Sequence, residues 1–408
     1  MEFEMNMDRQ PLPLTEQTTL NSTHNANRTH IAIFGNRNAG KSSLLNAIVG
    51  QDVAIVSDIK GTTTDPVSKS MELLPFGPVV FIDTAGLDDD SILGALRVDK
   101  TKKILQRTDF ALLVHSMDDF VETAHAEALL HFKKYNIPYL LVFNKTDLMD
   151  KNALLERKKN HPEAVFISTK DMESIHQLKM TLIRQLESAE KEPPIIGDFI
   201  PYGGTVVLVV PIDSEAPKGR IILPQVQLIR DCLDHGIKAH VVRDTELEES
   251  LKELARVDLV VTDSQAFERV SQIVPSHIPL TSFSILFARY KGDLKTFIEG
   301  TESIHGLKEG ARILISESCT HNHSHEDIGR VKIPMLLDKK EGKKFEYEFR
   351  MGHDFPEDLE TYDLIIHCGS CMLNKKTMLT RFQLAREPLQ RIGQPLRGHR
   401  GRGQTRRL

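Results

Sequence analysis

The chain has 408 residues, enough for two or three domains of roughly 150 residues each, with cores that need no disulfide staples. With 52 Lys+Arg against 57 Asp+Glu the net charge is -5, so no global field argues for nucleic acid or an anionic membrane as the main partner. Hydrophobic content of 40%, charged content of 27%, no apolar run near the ~18 residues of a membrane span and an acidic start (MEFEMNMDRQ) unlike a signal peptide together predict a soluble, cytoplasmic protein.

Residues 1–28 are polar and aperiodic and read as a mobile arm. At Thr29 the pattern changes: THIAIF is a short apolar strand, GNRNAGKS a Gly-rich loop, and SLLNAIVG a helix by its apolar spacing. Strands at Val79–Ile82, Phe110–Val114, Tyr139–Phe143 and Ala164–Ile167, with helical stretches such as His125–Tyr135 between them, predict βαβ units on a parallel sheet over 29–190. The Pro/Gly stretch KEPPIIGD reads as a linker. A small α/β unit is expected over 197–278, with strands at 206–212, Lys238–Val242 and Leu259–Val261 and helices at Gln225–His235, Glu246–Leu254 and Ser264–Val274. A third α/β unit is expected over 279–390, in which ARILIS and DLIIHC are buried strands that run into cysteine. Residues 391–408 form a basic Arg/Gly tail without periodicity.

Gly35 to Ser42 match G-x-x-x-x-G-K-[ST] between a strand and a helix. Gly35 and Gly40 let backbone N–H groups face phosphates, the helix N-terminus adds positive charge, Lys41 reaches the β- and γ-oxygens, and the Ser42 hydroxyl can hold Mg2+. Asp83-Thr84-Ala85-Gly86 follows the strand VVFI, so Asp83 can bind Mg2+ through water and the Gly86 N–H can meet the γ-phosphate. Thr62, Thr63 and Thr64 lie where a switch loop supplies a second Mg2+ hydroxyl. Asn144-Lys145-Thr146-Asp147 follows YLLVF, and the Asp147 carboxylate can accept two donors from guanine that adenine lacks. Ser168-Thr169-Lys170 then closes the base pocket. Five elements in this order predict an α/β P-loop GTPase domain that hydrolyses GTP with Mg2+, using Lys41, Thr63, Asp83 and Gly86.

Residues 29 to 187 resemble the translation-factor-related GTPases, and within them the group of tRNA-modification and ribosome-assembly enzymes. The resemblance implies that Ser42 and Thr63 ligate Mg2+ and that Asn144 and Asp147 read guanine, with Ser43 and Lys145 also at the GTP site. It further implies that Asn38 helps bind K+ where an arginine finger would act. Leu87 stands where Ras-like proteins carry a water-orienting glutamine and cannot do that work; Asp88, Asp89 and Asp90 read as a solvated acidic turn.

Of the 4 cysteines, Cys232 sits among apolar helix residues and reads as core. The other three suit metal ligation in a reducing compartment. Cys319-Thr-His321 ends one strand and His367-Cys368-Gly-Ser-Cys371 ends another, so in a parallel sheet both reach one carboxyl edge. Three thiolates with His321 or His367 would close a Cys3His zinc site, or hold a 4Fe-4S cluster with an exchangeable fourth position; spacing leaves both open.

The order of GTPase, middle α/β unit and C-x-H…H-C-x-x-C unit resembles the FeFe-hydrogenase H-cluster maturation GTPases, on GNRNAGKSS, IDTAG, FNKTD, ILFARYKGDL, ESCTHN and HCGSCM. That resemblance implies a 4Fe-4S cluster on Cys319, Cys368 and Cys371, a homodimer through the middle domain, and a scaffold that passes a transient di-iron subcluster to the apo-hydrogenase, with two radical-SAM maturases as further partners. The chain departs from the family pattern after about Arg386, where it turns basic and Gly-rich. The alternative reading is an RNA- or ribosome-assembly GTPase with a structural zinc domain, whose tail would contact phosphates.

Overall fold

Continuous apolar runs become central strands in the computed structural model, which describes residues 27–50, 58–59, 68–84, 101–188, 193–212, 221–317, 328–352, 354–356, 358–368 and 373–391. THIAIF forms β1 (Thr29–Phe34), fully buried from Ile31 onward because a parallel central strand is covered on both faces. Around it lie α1 (Lys41–Val49), β2 (Asp58–Ile59), β3 (Ser68–Leu73), β4 (Gly77–Asp83), α2 (101–107) and β5 (Phe110–Ser116). There follow α3 (Glu122–Lys134), β6 (Tyr139–Asn144), α4 (Lys151–Asn160), β7 (Val165–Phe166) and α5 (Met172–Ser188). They build a seven-stranded sheet in the order β2-β3-β4-β1-β5-β6-β7, parallel from β4 to β7, with β3 antiparallel to β4 at one side. One face is covered by α1 and α5 through Leu44, Leu45, Leu178 and Leu182, the other by α2 and α3 through Leu105 and Phe132.

The middle unit comprises β8 (Thr205–Val209), α6 (Leu223–Asp234), β9 (Lys238–Val242), α7 (Leu247–Glu253), β10 (Leu259–Thr262), α8 (Phe267–Ile273), β11 (Leu280–Ser282) and α9 (Phe283–Lys291). Its four strands are all parallel, in the order β11-β10-β8-β9. Cys232 is buried in its core, and burial pushes the thiol up to about 12, as befits a small apolar filler. This unit is larger than the 197–278 expected. Ile195 and Ile196, read as linker, are core residues held by main-chain bonds to the Asp231 carboxylate, and β11 and α9 lie beyond residue 278 yet complete the sheet and core.

The third unit contains α10 (Leu294–Ser303), β12 (Arg312–Glu317), α11 (Ile333–Glu341), β13 (Glu346–Met351), β14 (Leu364–Cys368) and α12 (Lys375–Arg391), on a parallel sheet ordered β13-β12-β14. Neither β13 nor β3 is predicted by the sequence pattern, because EYEFRM and SKSMEL carry charges that only pairing with an apolar neighbour strand tolerates. Helix α12 continues through Pro388 to Arg391, past the point where departure from the family was expected. No helix among the described residues is long and apolar enough to cross a membrane.

Candidate functional site

The phosphate loop is shaped by two backbone positions that admit only glycine. Gly35 has φ 143°, and a Cβ there would stand 1.9 Å from the Val114 carbonyl oxygen; Gly40 has φ 88°, and its Cβ would stand 2.3 Å from Asn144 Nδ2. Gly40 caps α1 without a side chain, so the first-turn N–H groups keep no side-chain partner and face outward as an anion site. Lys41 is buried, with Nζ donating to Gly35 O at 2.6 Å and Asn36 O at 2.8 Å. Asn38 is exposed and left-handed, at φ 62°. Ser43 is exposed on the first turn of α1.

Ser42 Oγ donates to Asp83 Oδ2, which joins the start of α1 to the end of β4. Asp83 Oδ1 is buried with no hydrogen-bond partner. A buried carboxylate oxygen left orphaned beside a hydroxyl fits a hard cation such as Mg2+. Thr84 turns the chain away through a 2.7 Å bond from Oγ1 to Ile33 O. Thr63 and Gly86, the other expected members of this site, lie outside the described residues, as do Leu87 and Asp88 to Asp90.

At the base end, Asn144 closes β6 and ties the two halves together: Nδ2 donates to Ala39 O at 2.9 Å, and Oδ1 accepts the Lys145 N–H at 2.8 Å. Lys145 is left-handed at φ 64°, with Nζ 3.7 Å from Asp118 Oδ1. Asp147 accepts from Lys170 Nζ and Ser168 Oγ, both at 2.8 Å, and these bonds hold its carboxyl below the usual range, Lys170 foremost. Thr169 lies in the turn between them. The structure therefore brings Gly35, Gly40, Lys41, Ser42, Asp83, Asn144 and Asp147 to one carboxyl edge of the sheet.

A second carboxyl edge lies in the third unit. Parallel pairing sets Glu317 opposite Cys368 and Ser316 opposite His367, so the segments leading to Cys319 and Cys371 leave from adjacent strands. Cys319, His321 and Cys371 themselves lie outside the described residues. Among the described residues no group of three or more His, Cys, Asp or Glu side chains is placed to hold a metal. Glu317 is buried against Arg330 at 3.0 Å. The His367 ring stacks on Phe355 with centroids 5.9 Å apart and meets Phe382 edge-on at 6.0 Å; its Nδ1 is buried without a partner. Burial and then the nearby Arg381 push its pKa down to about 3.

Sequence reasoning missed two residues here, because both act from α12 or its approach. Arg381 is 2% exposed and donates to Ser316 Oγ at 2.8 Å and Gly352 O at 2.6 Å, with its guanidinium 4.7 Å from the Phe355 ring centre. One side chain thus secures β12 and the end of β13. Asn374 is also buried, and reaches the GTPase domain. No motif marks either residue; a basic residue inside the helix pattern TMLTRFQLA is the only signal available.

The model of the hydrogen maturase F dimerization domain matches residues 195–292, and that of the hydrogen maturase F tetramerization domain matches residues 295–392. The chain belongs to the hydrogen maturase F family. A third model, the 50S ribosome-binding GTPase family, matches residues 30–145 and places a P-loop GTPase domain ahead of the two maturase domains. The tetramerization-domain match runs to residue 392, past Arg386, where departure from the family pattern was expected. The tRNA modification GTPase MnmE of Chromobacterium violaceum is 36% identical over 158 residues, covering 38% of this chain and 34% of that protein. GTPase Der of Wolinella succinogenes is 31% identical over 177 residues, covering 40% of this chain and 37% of that protein. The chain spans about a third of the length of these curated relatives. A solved structure of an Aquifex aeolicus Era variant aligns at 20% identity and a TM-score of 0.32, over 52% of this chain and 92% of that one, too low a score to bear on the reading.

Proposed function

We propose that the protein hydrolyses GTP and serves as an iron–sulfur scaffold in maturation of the FeFe-hydrogenase H-cluster, carrying the di-iron subcluster to the apo-hydrogenase. The observation that carries this reading is the junction of two carboxyl strand ends at Glu317 and Cys368, in a chain whose second half matches the two maturase domains.

In the nucleotide site the orphaned Asp83 Oδ1 and the Ser42 hydroxyl suit Mg2+, with Thr63 as the second hydroxyl ligand. Lys41 exchanges its carbonyl partners for β- and γ-phosphate oxygens, where its charge offsets that developing in transfer. Gly86 donates its N–H to the γ-phosphate. Asn38, on the exposed side of the loop, holds K+. Turnover is therefore faster in K+ than in Na+, and slow in both because Leu87 does not orient water. Asp147 reads guanine through the carboxylate that Ser168 and Lys170 keep ionised.

At the second edge Cys319, Cys368 and Cys371 supply three thiolates for a 4Fe-4S cluster, whose chemistry is to hold and exchange iron and sulfide, and His321 or His367 fills at most the fourth position. The dimerization and tetramerization domains support an oligomer, with the apo-hydrogenase and the two radical-SAM maturases as partners. The test is metal analysis after anaerobic purification. Iron with sulfide, lost in Cys319→Ser, Cys368→Ser and Cys371→Ser alike, supports the scaffold; stoichiometric zinc overturns it in favour of a Cys3His structural domain.

A further inference from the structure

We infer that Asp118 is a positioning residue of the nucleotide site, which tethers the Lys145 ammonium so that the lysine stem stands fixed as a wall for the face of the purine. The inference rests on the reading of Asn144 and Asp147 as the guanine pocket; Asp118 itself lies in none of the nucleotide motifs. Lys145 sits between those two residues in the left-handed conformation, at φ 64°. Among the described residues Asn38 and Asn136 are the other non-glycine positions that do so, and a lysine, unlike an asparagine, gains no local hydrogen bond by it. Its surroundings must therefore hold it there. On one side its N–H donates to Asn144 Oδ1 at 2.8 Å, and Asn144 Nδ2 donates in turn to Ala39 O at 2.9 Å, which ties the main chain to the phosphate loop. On the other side its Nζ lies 3.7 Å from Asp118 Oδ1.

The end of β5 aims the Asp118 carboxylate. Parallel pairing sets Ser116 opposite Asn144, and the Met117 N–H donates to Asn144 O at 2.9 Å, so the two chains leave the sheet edge side by side. The Asp119 N–H then closes a turn on Ser116 O at 3.3 Å. The Ser116 hydroxyl, on a residue 2% exposed, donates to Asp118 Oδ1, the oxygen that faces Lys145. Ser116 foremost, then the main chain of Asp118 itself and Lys145, hold this carboxyl below the usual range, so it is charged whenever the nucleotide is bound at neutral pH. An exposed ion pair adds little to stability by itself. Here its effect falls on the ligand, because a lysine free in water loses rotamers when a base packs on its methylenes, and one already tethered does not. The side chains are 48% exposed at Asp118 and 28% at Lys145, so salt screens the tether. A base face is common to all purines, whereas the Asp147 carboxylate meets an edge, so the tether should raise affinity without setting guanine preference.

The test titrates the full-length protein with GDP and with a non-hydrolysable GTP analogue, in Mg2+ and at low ionic strength. Asp118→Asn keeps the shape and removes the charge, and should raise both Kd values about threefold, with kcat at saturating GTP and the preference for GTP over ATP unchanged. The gap should close in about 1 M salt. Asp119→Asn, the same loss of charge one residue on, should leave the Kd as it is. In a Lys145→Met background Asp118→Asn should have no further effect, which a merely structural loss would not reproduce. Parent-like affinity in Asp118→Asn, a lowered kcat, an equal loss in Asp119→Asn, or a loss that persists beside Lys145→Met overturns the inference. Should Asp118→Asn not fold, as judged by circular dichroism, Ser116→Ala carries the test by freeing the carboxylate from its aim: weaker binding that vanishes beside Lys145→Met supports the tether, and unchanged binding overturns it. Asp147→Asn checks the pocket separately, since an undiminished preference for GTP over ATP there overturns the pocket reading, while the Asp118 results bear on Lys145 alone.

Discussion

The nucleotide edge and the cysteine edge are both carboxyl ends of parallel sheets, yet they are secured differently. At the nucleotide edge three of the working side chains are held by the nucleotide motifs themselves: Lys41 by the loop it closes, Asn144 by Ala39 of that same loop, Asp147 by Ser168 and Lys170 of the segment after β7. At the cysteine edge the anchor comes from outside the sheet, through Arg381 and Asn374. A site built from contiguous motifs carries its own support, whereas one assembled from separated strand ends borrows it.

The sharpest way to break the contrast is to remove one member of each edge. Lys41→Ala should lower GTP turnover by at least about 10²-fold while the fold stands, since it removes a charge aimed at the transferring phosphoryl group; phosphate release under saturating GTP measures it. Arg381→Met should cost about 2 kcal/mol locally, by leaving Ser316 Oγ and the Gly352 carbonyl unpaired. Hydrogen exchange should then show faster opening of β12 and β13 with the GTPase sheet unchanged; loss of protection in both would mean that the two edges are not separately supported.

Asp147→Asn tests the self-contained character of the base pocket, and should reduce the preference for GTP over ATP by about 10-fold or more in competition binding, as a charge-assisted double acceptor is lost. Acid should loosen the GTPase domain through a histidine that no motif marks. His115 on β5 is buried, with Nε2 3.1 Å from His125 Nδ1 and its own Nδ1 unpartnered; burial first, then His125, His161 and Arg157, push it down to about 4 from 6.5. Between those values the unfolded chain binds the proton and the folded one does not. The stabilising effect is therefore whole above pH 6.5 and is lost as pH falls toward 4, by at most ~1.4 kcal/mol per pH unit. His115→Phe keeps the aromatic packing with Phe120 and Phe143 and should flatten that part of the slope, read as exchange protection of β5 at pH 7, 5.5 and 4.5 relative to the parent.

Much of this was legible in the sequence alone. Strands whose residues are buried on both faces announce themselves as apolar runs, which is why β1, β5, β6 and β10 fall where the pattern predicts them. The phosphate loop was equally plain, because a turn that admits only glycine at Gly35 and Gly40 restricts composition locally. The end of the middle unit was not: β11 and α9 carry no boundary signal, and only pairing with β10 shows that they belong to it.

By itself, then, the sequence determined the order of elements, the guanine-nucleotide motifs and the presence of three clustered-by-motif cysteines, since each depends on residues close together in the chain. The tertiary structure alone decided that Ser316 and His367 are register partners and that α12 spans from the GTPase domain to their edge. The reason is physical: strand register and the burial of Arg381 and Asn374 arise from contacts made across scores of residues, and nothing in local propensity or spacing encodes which distant carbonyl a buried amide or guanidinium will meet.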